Sequence, residues 1–200
     1  MKNKKGNELS KEFWYIFIAI CVFLIIFVAV GFGIFSNKKD EVIEKNENGG
    51  NITLNYTNNI TGLSIKDVSP ITDTIGMKKS EDGDYFDFSI NVDLDNATSI
   101  EYEISAIKDE KNSTISDDDI RIYLEREESG TYTKVFGPDK FSPLKKDSSI
   151  GSQTGSMILA SVIKKKSTVD NYRLRMWLSD KSLIATGNYS VEIVVNGKAK

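Results

Sequence analysis

Carboxylates are the reactive side chains that this sequence offers, because the groups most often used for catalysis near neutral pH are missing. The 200 residues contain no histidine, and the single cysteine, Cys21, lies within a long apolar stretch. Histidine-dependent triads, cysteine nucleophiles and Cys/His metal sites are therefore excluded. A pair of carboxylates could still hydrolyse a glycoside. Acidic residues that alternate along strands are more typical of a solvated face, so the sequence predicts a protein that is not an enzyme.

Two acidic clusters contain the oxygen ligands that calcium prefers. The candidate ligands are Glu81, Asp82 and Asp84 in SEDGDYFD, and Asp117, Asp118 and Asp119 in SDDDI. Neither cluster follows the Asp-x-Asp-x-Asp-Gly spacing of the calcium loop between two helices. The alternative interpretation is a solvated turn that leads into a strand. We therefore expect no cofactor, with calcium at these clusters as the one alternative.

The apolar stretch around Cys21 has the length of a membrane-spanning helix. It runs from Phe13 to Phe35 without a charged residue. A helix of this length is about 34 Å long, whereas the hydrocarbon layer of a bilayer is about 30 Å thick. Secretory signals have shorter apolar cores of about 7–15 residues, followed by a small-x-small cleavage site. The length therefore favours a retained anchor, and cleavage after Ala29-Val30-Gly31 is the alternative.

The residues that flank this stretch predict its orientation. Trp14 and Tyr15 fit an aromatic belt at the membrane interface. Lysines are slightly more frequent before the stretch, where Lys2, Lys4, Lys5 and Lys11 lie, than after it, where Lys38, Lys39 and Lys45 lie. The positive-inside rule then places the N-terminus in the cytoplasm. The predicted organisation is a basic cytoplasmic arm (1–12), a transmembrane helix (13–35), a polar linker (36–50) and an extracytoplasmic domain (51–200).

Apolar residues alternate with polar ones through the predicted domain. In YFDFSINVDL, for example, Phe86, Phe88, Ile90 and Val92 share one face. Such alternation indicates strands that are buried on one side only. About eight short strands, separated by turn residues, predict an all-β antiparallel sandwich that is Ig-like or jelly-roll-like. The residues expected to form its core together are Phe88, Ile90, Val92, Tyr102, Ile104, Leu174 and Met176.

The late strand DNYRLRMWLSD contains the candidate residues for partner binding. If Tyr172, Leu174, Met176 and Leu178 face inward, then Arg173, Arg175 and Trp177 share the outer face, because side chains alternate along a strand. Arginine next to an exposed tryptophan is a mixture enriched in interface anchors. Two alternatives are that Arg175 merely lies over the indole as a cation–π pair, or that a loop covers it.

Two resemblances concern the whole chain. The lysine-rich arm, the single span, the Asn/Glu-rich linker and the late strand YRLRMWLSD resemble uncharacterised single-pass surface proteins of low-GC Gram-positive bacteria. This resemblance implies a location at the cell surface, and it implies no particular activity. A basic leader ending in Lys5-Gly6 is similar to the processing site of type IV pilins. Pilins place a glutamate five residues after the glycine, but here that position is Lys11 and Glu12 follows it.

These observations predict a membrane-anchored, extracytoplasmic binding or structural module of the cell surface. Its expected partners are the membrane and another surface protein or cell-wall glycan. A net charge of −3 argues against nucleic acid. The alternatives are a pilin-like filament subunit processed near Gly6 and a carboxylate-dependent hydrolase.

Overall fold

The computed structural model describes the backbone of residues 40–45 and the residues 50–56, 60–81 and 84–200 in full. The predicted transmembrane helix and cytoplasmic arm, including Phe13, Trp14, Tyr15, Cys21 and Phe35, lie outside the described residues. Within the described ranges, no helix is both long enough and apolar enough to span a membrane.

The described secondary structure is almost entirely β. The strands are β1 (Asp40–Lys45), β2 (Asn51–Tyr56), β3 (Gly62–Val68), β4 (Tyr85–Asp93), β5 (Ile100–Lys108), β6 (Ile120–Glu128), β7 (Thr131–Asp139), β8 (Ser156–Lys164), β9 (Thr168–Leu178) and β10 (Gly187–Ala199). A single helical turn, α1 (Asp73–Gly76), lies between β3 and β4.

The strands form two antiparallel sheets around one core. The six-stranded sheet has the order β1-β2-β4-β9-β6-β7, and the four-stranded sheet has the order β3-β10-β5-β8. Buried apolar side chains from both sheets belong to a single hydrophobic cluster. The arrangement is sandwich-like, as expected when each sheet must bury one apolar face against another layer. The prediction of an all-β antiparallel fold is confirmed.

The alternation in the sequence identifies the core-facing side of β4, β5 and β9. The seven residues predicted to be buried together, from Phe88 to Met176, are each at most 4% exposed and belong to the same cluster. On the six-stranded sheet, Phe88 belongs to a ladder of aromatic rings that crosses β2, β4 and β9. Tyr56, Phe86, Phe88 and Tyr172 follow one another with ring centroids 6.0, 5.5 and 5.4 Å apart.

Buried hydroxyl groups join the two sheets at this ladder. The hydroxyl groups of Tyr172, on β9, and Tyr102, on β5, lie 2.8 Å apart. Tyr102 also donates a hydrogen bond of 2.8 Å to Asp170, which accepts a further bond from Lys164. Burial raises the pKa of Tyr102 well above its ordinary value, with smaller contributions from Tyr172 and Asp170. The phenol therefore stays neutral and can serve as a donor inside the sandwich.

Strand β1 lies within the segment that the sequence predicts to be a polar linker, 36–50. Residues Asp40–Lys45 instead pair antiparallel with β2, with Asp40 opposite Asn55 and Lys45 opposite Asn51. The pairing uses backbone groups, so the charged sequence DEVIEK can form an edge strand without an apolar face. For Asp40–Lys45 the linker prediction is therefore corrected.

Candidate functional site

Strand β9 presents Arg173, Arg175 and Trp177 on the outer face of the six-stranded sheet. The four alternate side chains, Tyr172, Leu174, Met176 and Leu178, are fully buried in the core. The predicted phase of the strand is therefore confirmed. The three outward residues nevertheless have very different surroundings, and these surroundings decide which of them can contact a partner.

Trp177 is covered by the segment that carries α1. The indole is 1% exposed, and its Nε1 donates a hydrogen bond of 3.1 Å to Asp73. Gly76 lies so close to the ring that an added Cβ atom would come within 2.1 Å of the indole. The expectation of an exposed tryptophan is wrong, and the alternative in which a loop covers the ring is the one observed.

Arg175 is also buried, with 6% of its surface exposed. Its guanidinium pairs with Glu125 of β6 and donates from Nε to the backbone carbonyl of Lys79 at 2.8 Å. Burial lowers the pKa of Arg175 below its ordinary value. Because Lys79 belongs to the segment after α1, Arg175 fastens that segment to the sheet. The pair with Glu125 was not predicted, since sequence alone does not place β6 beside β9.

Arg173 is the least enclosed of the three and lies between two aromatic rings. Its guanidinium carbon is 4.0 Å from the ring centroid of Tyr85 and 4.3 Å from that of Tyr132. It also makes two hydrogen bonds of 2.7 Å to Asp87. These hydrogen bonds raise the pKa of Arg173. The side chains form a Tyr–Arg–Tyr stack that is held in one geometry, because a bidentate carboxylate fixes the guanidinium plane.

A polar groove lies directly beside this stack. Its volume is about 150 Å³, and the outward side chains that line it are Asn55, Asp87, Ser89, Tyr132 and Asn171. Asn55 pairs with Ser89 across β2 and β4, and Ser89 pairs with Asn171 across β4 and β9. Three strands thus bring an amide, a hydroxyl and a second amide into one row. Asn171 donates a hydrogen bond of 2.9 Å to Glu127.

Comparison of the chain with protein families, with curated proteins and with solved structures finds no match. The groove and the stack are therefore the observations on which a function can be based. Sequence reasoning missed all five outward residues of the groove, which are Asn55, Asp87, Ser89, Tyr132 and Asn171. Their outward phase can be read from the alternation, but the order of the strands that brings them together cannot.

The acidic cluster Asp117–Asp119 is engaged by neighbouring donors. Asp117 accepts a hydrogen bond of 2.8 Å from the hydroxyl of Tyr189 and forms a salt bridge of 2.9 Å with Lys108. Asp118 pairs with Lys140 at 2.5 Å. Among the residues that the structure describes, no three acidic, histidine or cysteine side chains are placed to hold a metal ion. The geometry of this cluster therefore gives no support to the calcium hypothesis.

The second acidic cluster is described only in part, because Asp82 lies outside the described residues. Asp84 pairs with Lys79, and its carboxylate also accepts a hydrogen bond of 3.3 Å from the backbone N–H of Glu81. Both residues belong to the segment between α1 and β4, next to the carbonyl group that binds Arg175. The Asp84 carboxylate thus links the start of β4 to the segment that follows α1.

A buried carboxylate on the four-stranded sheet helps to hold the segment between β7 and β8 in place. Glu103, on the outer face of β5, is 6% exposed and accepts a 2.5 Å hydrogen bond from the hydroxyl of Ser148. The Ser148 oxygen in turn accepts hydrogen bonds from the backbone N–H groups of Ile150, Gly151 and Ser152. The segment between β7 and β8 is thereby held over the four-stranded sheet.

Proposed function

We propose that the chain is a membrane-anchored, extracytoplasmic binding module that is not catalytic and whose domain is a jelly roll. The strand order supports this choice of fold. Strands β3 to β10 have the orders β3-β10-β5-β8 and β4-β9-β6-β7, which form the eight-stranded, two-sheet arrangement of two Greek keys. Strands β1 and β2 extend the second of these sheets beside β4. An Ig-like domain would instead keep its strands in the A-B-E-D and C-F-G orders.

The groove beside the Tyr–Arg–Tyr stack is the observation that carries the binding function. Its outward lining consists of amide, hydroxyl, carboxylate and phenol groups at Asn55, Ser89, Asn171, Asp87 and Tyr132. Amides both donate and accept hydrogen bonds, which suits ligands with many hydroxyl groups. The ring of Tyr132 is held in place by Arg173. The ligand class that this chemistry fits best is a sugar chain, and the proposed ligand is cell-wall glycan.

The surroundings of Trp177 favour a glycan over a protein partner. Protein interfaces depend on aromatic and arginine anchors that are accessible to the partner. Trp177 and Arg175, which have that composition, are both buried beneath the segment that carries α1. Arg173, which is less enclosed, is held between Tyr85 and Tyr132 and by Asp87, and the groove beside it is lined by outward polar side chains. Truncation of Asn55 and Asn171 to alanine is therefore expected to weaken binding to isolated cell-wall glycan, with variants of the four-stranded sheet as the control.

The proposed topology predicts where an added protease will cleave. The membrane fraction of producing cells should contain the full-length chain of 22.4 kDa. Trypsin added to intact cells, with any outer envelope opened, should cleave after Lys38 or Lys39 and release the remainder of the chain, because both lysines precede β1 on the extracytoplasmic side.

Mass spectrometry of the retained N-terminus distinguishes this topology from its alternatives. A chain that begins at Met1 or Lys2 supports an uncleaved anchor. A soluble product that begins near Phe32 would contradict the anchor, and a chain that begins at Asn7 would support a filament subunit processed after Gly6.

A further inference from the structure

Glu127 of β6 orients one of the side chains that line the groove. Its carboxylate accepts the 2.9 Å hydrogen bond from the side-chain amide of Asn171 on β9. An ionised carboxylate accepts hydrogen bonds and donates none, so the amide nitrogen of Asn171 faces Glu127. The amide oxygen then faces away from β6, toward β4, where Ser89 lies opposite Asn171. Asn171 therefore presents a hydrogen-bond acceptor to a ligand in the groove.

Asp87 adds a second acceptor whose position is fixed. It lines the groove, and its two carboxylate oxygens accept hydrogen bonds of 2.7 Å from Arg173. This pairing balances the charge of Asp87 and holds the carboxylate in one orientation. The phenol of Tyr132 stays neutral, because burial, Asp87 and Glu127 all raise its pKa. The charged groups that these contacts bring to the groove are therefore two carboxylates and one guanidinium that is already paired.

The charge of Glu127 is not balanced in the same way. Among the residues that the structure describes, no lysine or arginine forms a salt bridge with its carboxylate. The cations of the neighbouring strand positions face other carboxylates: Arg173 pairs with Asp87, Arg126 pairs with Glu128, and Lys134 lies opposite Glu125. One negative charge thus remains beside the groove, next to Asn171 and Tyr132.

We propose that Glu127 determines the specificity of the groove, which selects uncharged glycan and excludes glycan that carries phosphate, sulfate or carboxylate groups. This inference rests on the proposed function, because it concerns the same groove. The acceptors at Asn171 and Asp87 fit the O–H and amide N–H donors of a neutral, N-acetylated sugar. An anionic group would instead meet oxygen atoms and the charge of Glu127, and like charges placed together disfavour a complex.

A matched pair of glycans tests the exclusion of anions. The first is cell-wall glycan of the producing cells from which acid has removed phosphodiester-linked polymers, and the second is the same glycan after chemical addition of sulfate groups. The full-length chain in detergent should bind the stripped glycan about tenfold more tightly than the sulfated glycan. Glu127→Lys should remove most of this preference. Glu192→Lys makes the same change of charge on the four-stranded sheet and should retain it. The preference should also decrease at high salt, which a purely structural role of Glu127 would not cause.

Two further variants test the orientation of Asn171. In Glu127→Ala the amide of Asn171 is free to rotate, so the affinity for the stripped glycan should fall by about fivefold. In Glu127→Gln the new side-chain oxygen can accept the same hydrogen bond, so this affinity should be retained.

The outcomes separate this inference from the proposed function. The inference is overturned if the unaltered chain binds both glycans equally, if Glu127→Lys keeps the full preference, or if Glu127→Ala binds the stripped glycan as tightly as the unaltered chain. In each of these cases the unaltered chain still binds the stripped glycan, so the proposed function stands. If the unaltered chain does not bind the stripped glycan, the proposed function is contradicted and this inference with it.

Discussion

Replacement of Phe88 by alanine is expected to lower the free energy of unfolding by about 3–5 kcal/mol. Phe88 is 4% exposed and stacks between Phe86 and Tyr172 in the aromatic ladder. Alanine would remove the centre of the ladder and leave a cavity that the neighbouring rings fill only in part. Since a domain is stable by about 5–15 kcal/mol, the loss is a large fraction of the total.

Urea unfolding of the full-length chain in detergent measures this effect through the fluorescence of Trp177. A Trp14→Phe background leaves Trp177 as the single tryptophan. The matched control is Val169→Ala, because Val169 is 58% exposed and surface changes usually stay within about 0.5 kcal/mol. If Phe88→Ala and Val169→Ala have the same midpoint, Phe88 does not contribute to the core in the way described.

The pair of Arg175 and Glu125 should show the second large effect. Replacement of Arg175 by methionine leaves the Glu125 carboxylate buried without its cation, and the loss of one member of a buried pair costs about 3–5 kcal/mol. It also removes the hydrogen bond to the carbonyl of Lys79. The segment that covers Trp177 should therefore loosen, and an aqueous quencher should reach the indole more readily.

A double-mutant cycle separates the charge effect from the packing effect. In the double variant Arg175→Met, Glu125→Leu, both charges are gone, so most of the stability lost in the single variant should return. The Lys79 carbonyl remains without its donor in both variants, and its contribution therefore cancels between them. Strict additivity of the two single changes, or a cost below about 1 kcal/mol for Arg175→Met, would show that the pair does not stabilise the domain.

The alternation in the sequence was sufficient to predict the fold class and the inward face of the principal strands. Phe88, Tyr102, Leu174 and Met176 are buried where their phase places them, because the side-chain period of a strand is fixed by its geometry. The same rule placed Trp177 correctly on the outer face. It gave no information about the segment that covers the indole, since that contact depends on Gly76, about a hundred residues earlier in the chain.

The candidate groove could not be predicted for a related reason. Asn55, Ser89 and Asn171 lie in three strands that are far apart in the sequence but adjacent in the sheet. Their individual outward positions follow from the alternation, whereas the strand order follows from packing across the whole domain. Strand β1 was missed because backbone pairing to an edge requires no apolar pattern.

Binding to isolated cell-wall glycan of the producing cells is the most direct test of the proposed function. The unaltered chain should sediment with the glycan. The double variant Asn55→Ala, Asn171→Ala should have an affinity for the glycan that is lower by about tenfold or more, because each lost hydrogen bond costs about 0.5–1.5 kcal/mol. The control variant Glu192→Ala, Lys198→Ala changes exposed residues of β10 in the other sheet and should bind like the unaltered chain. Equal binding by the two double variants, or no binding by the unaltered chain, would contradict the proposal.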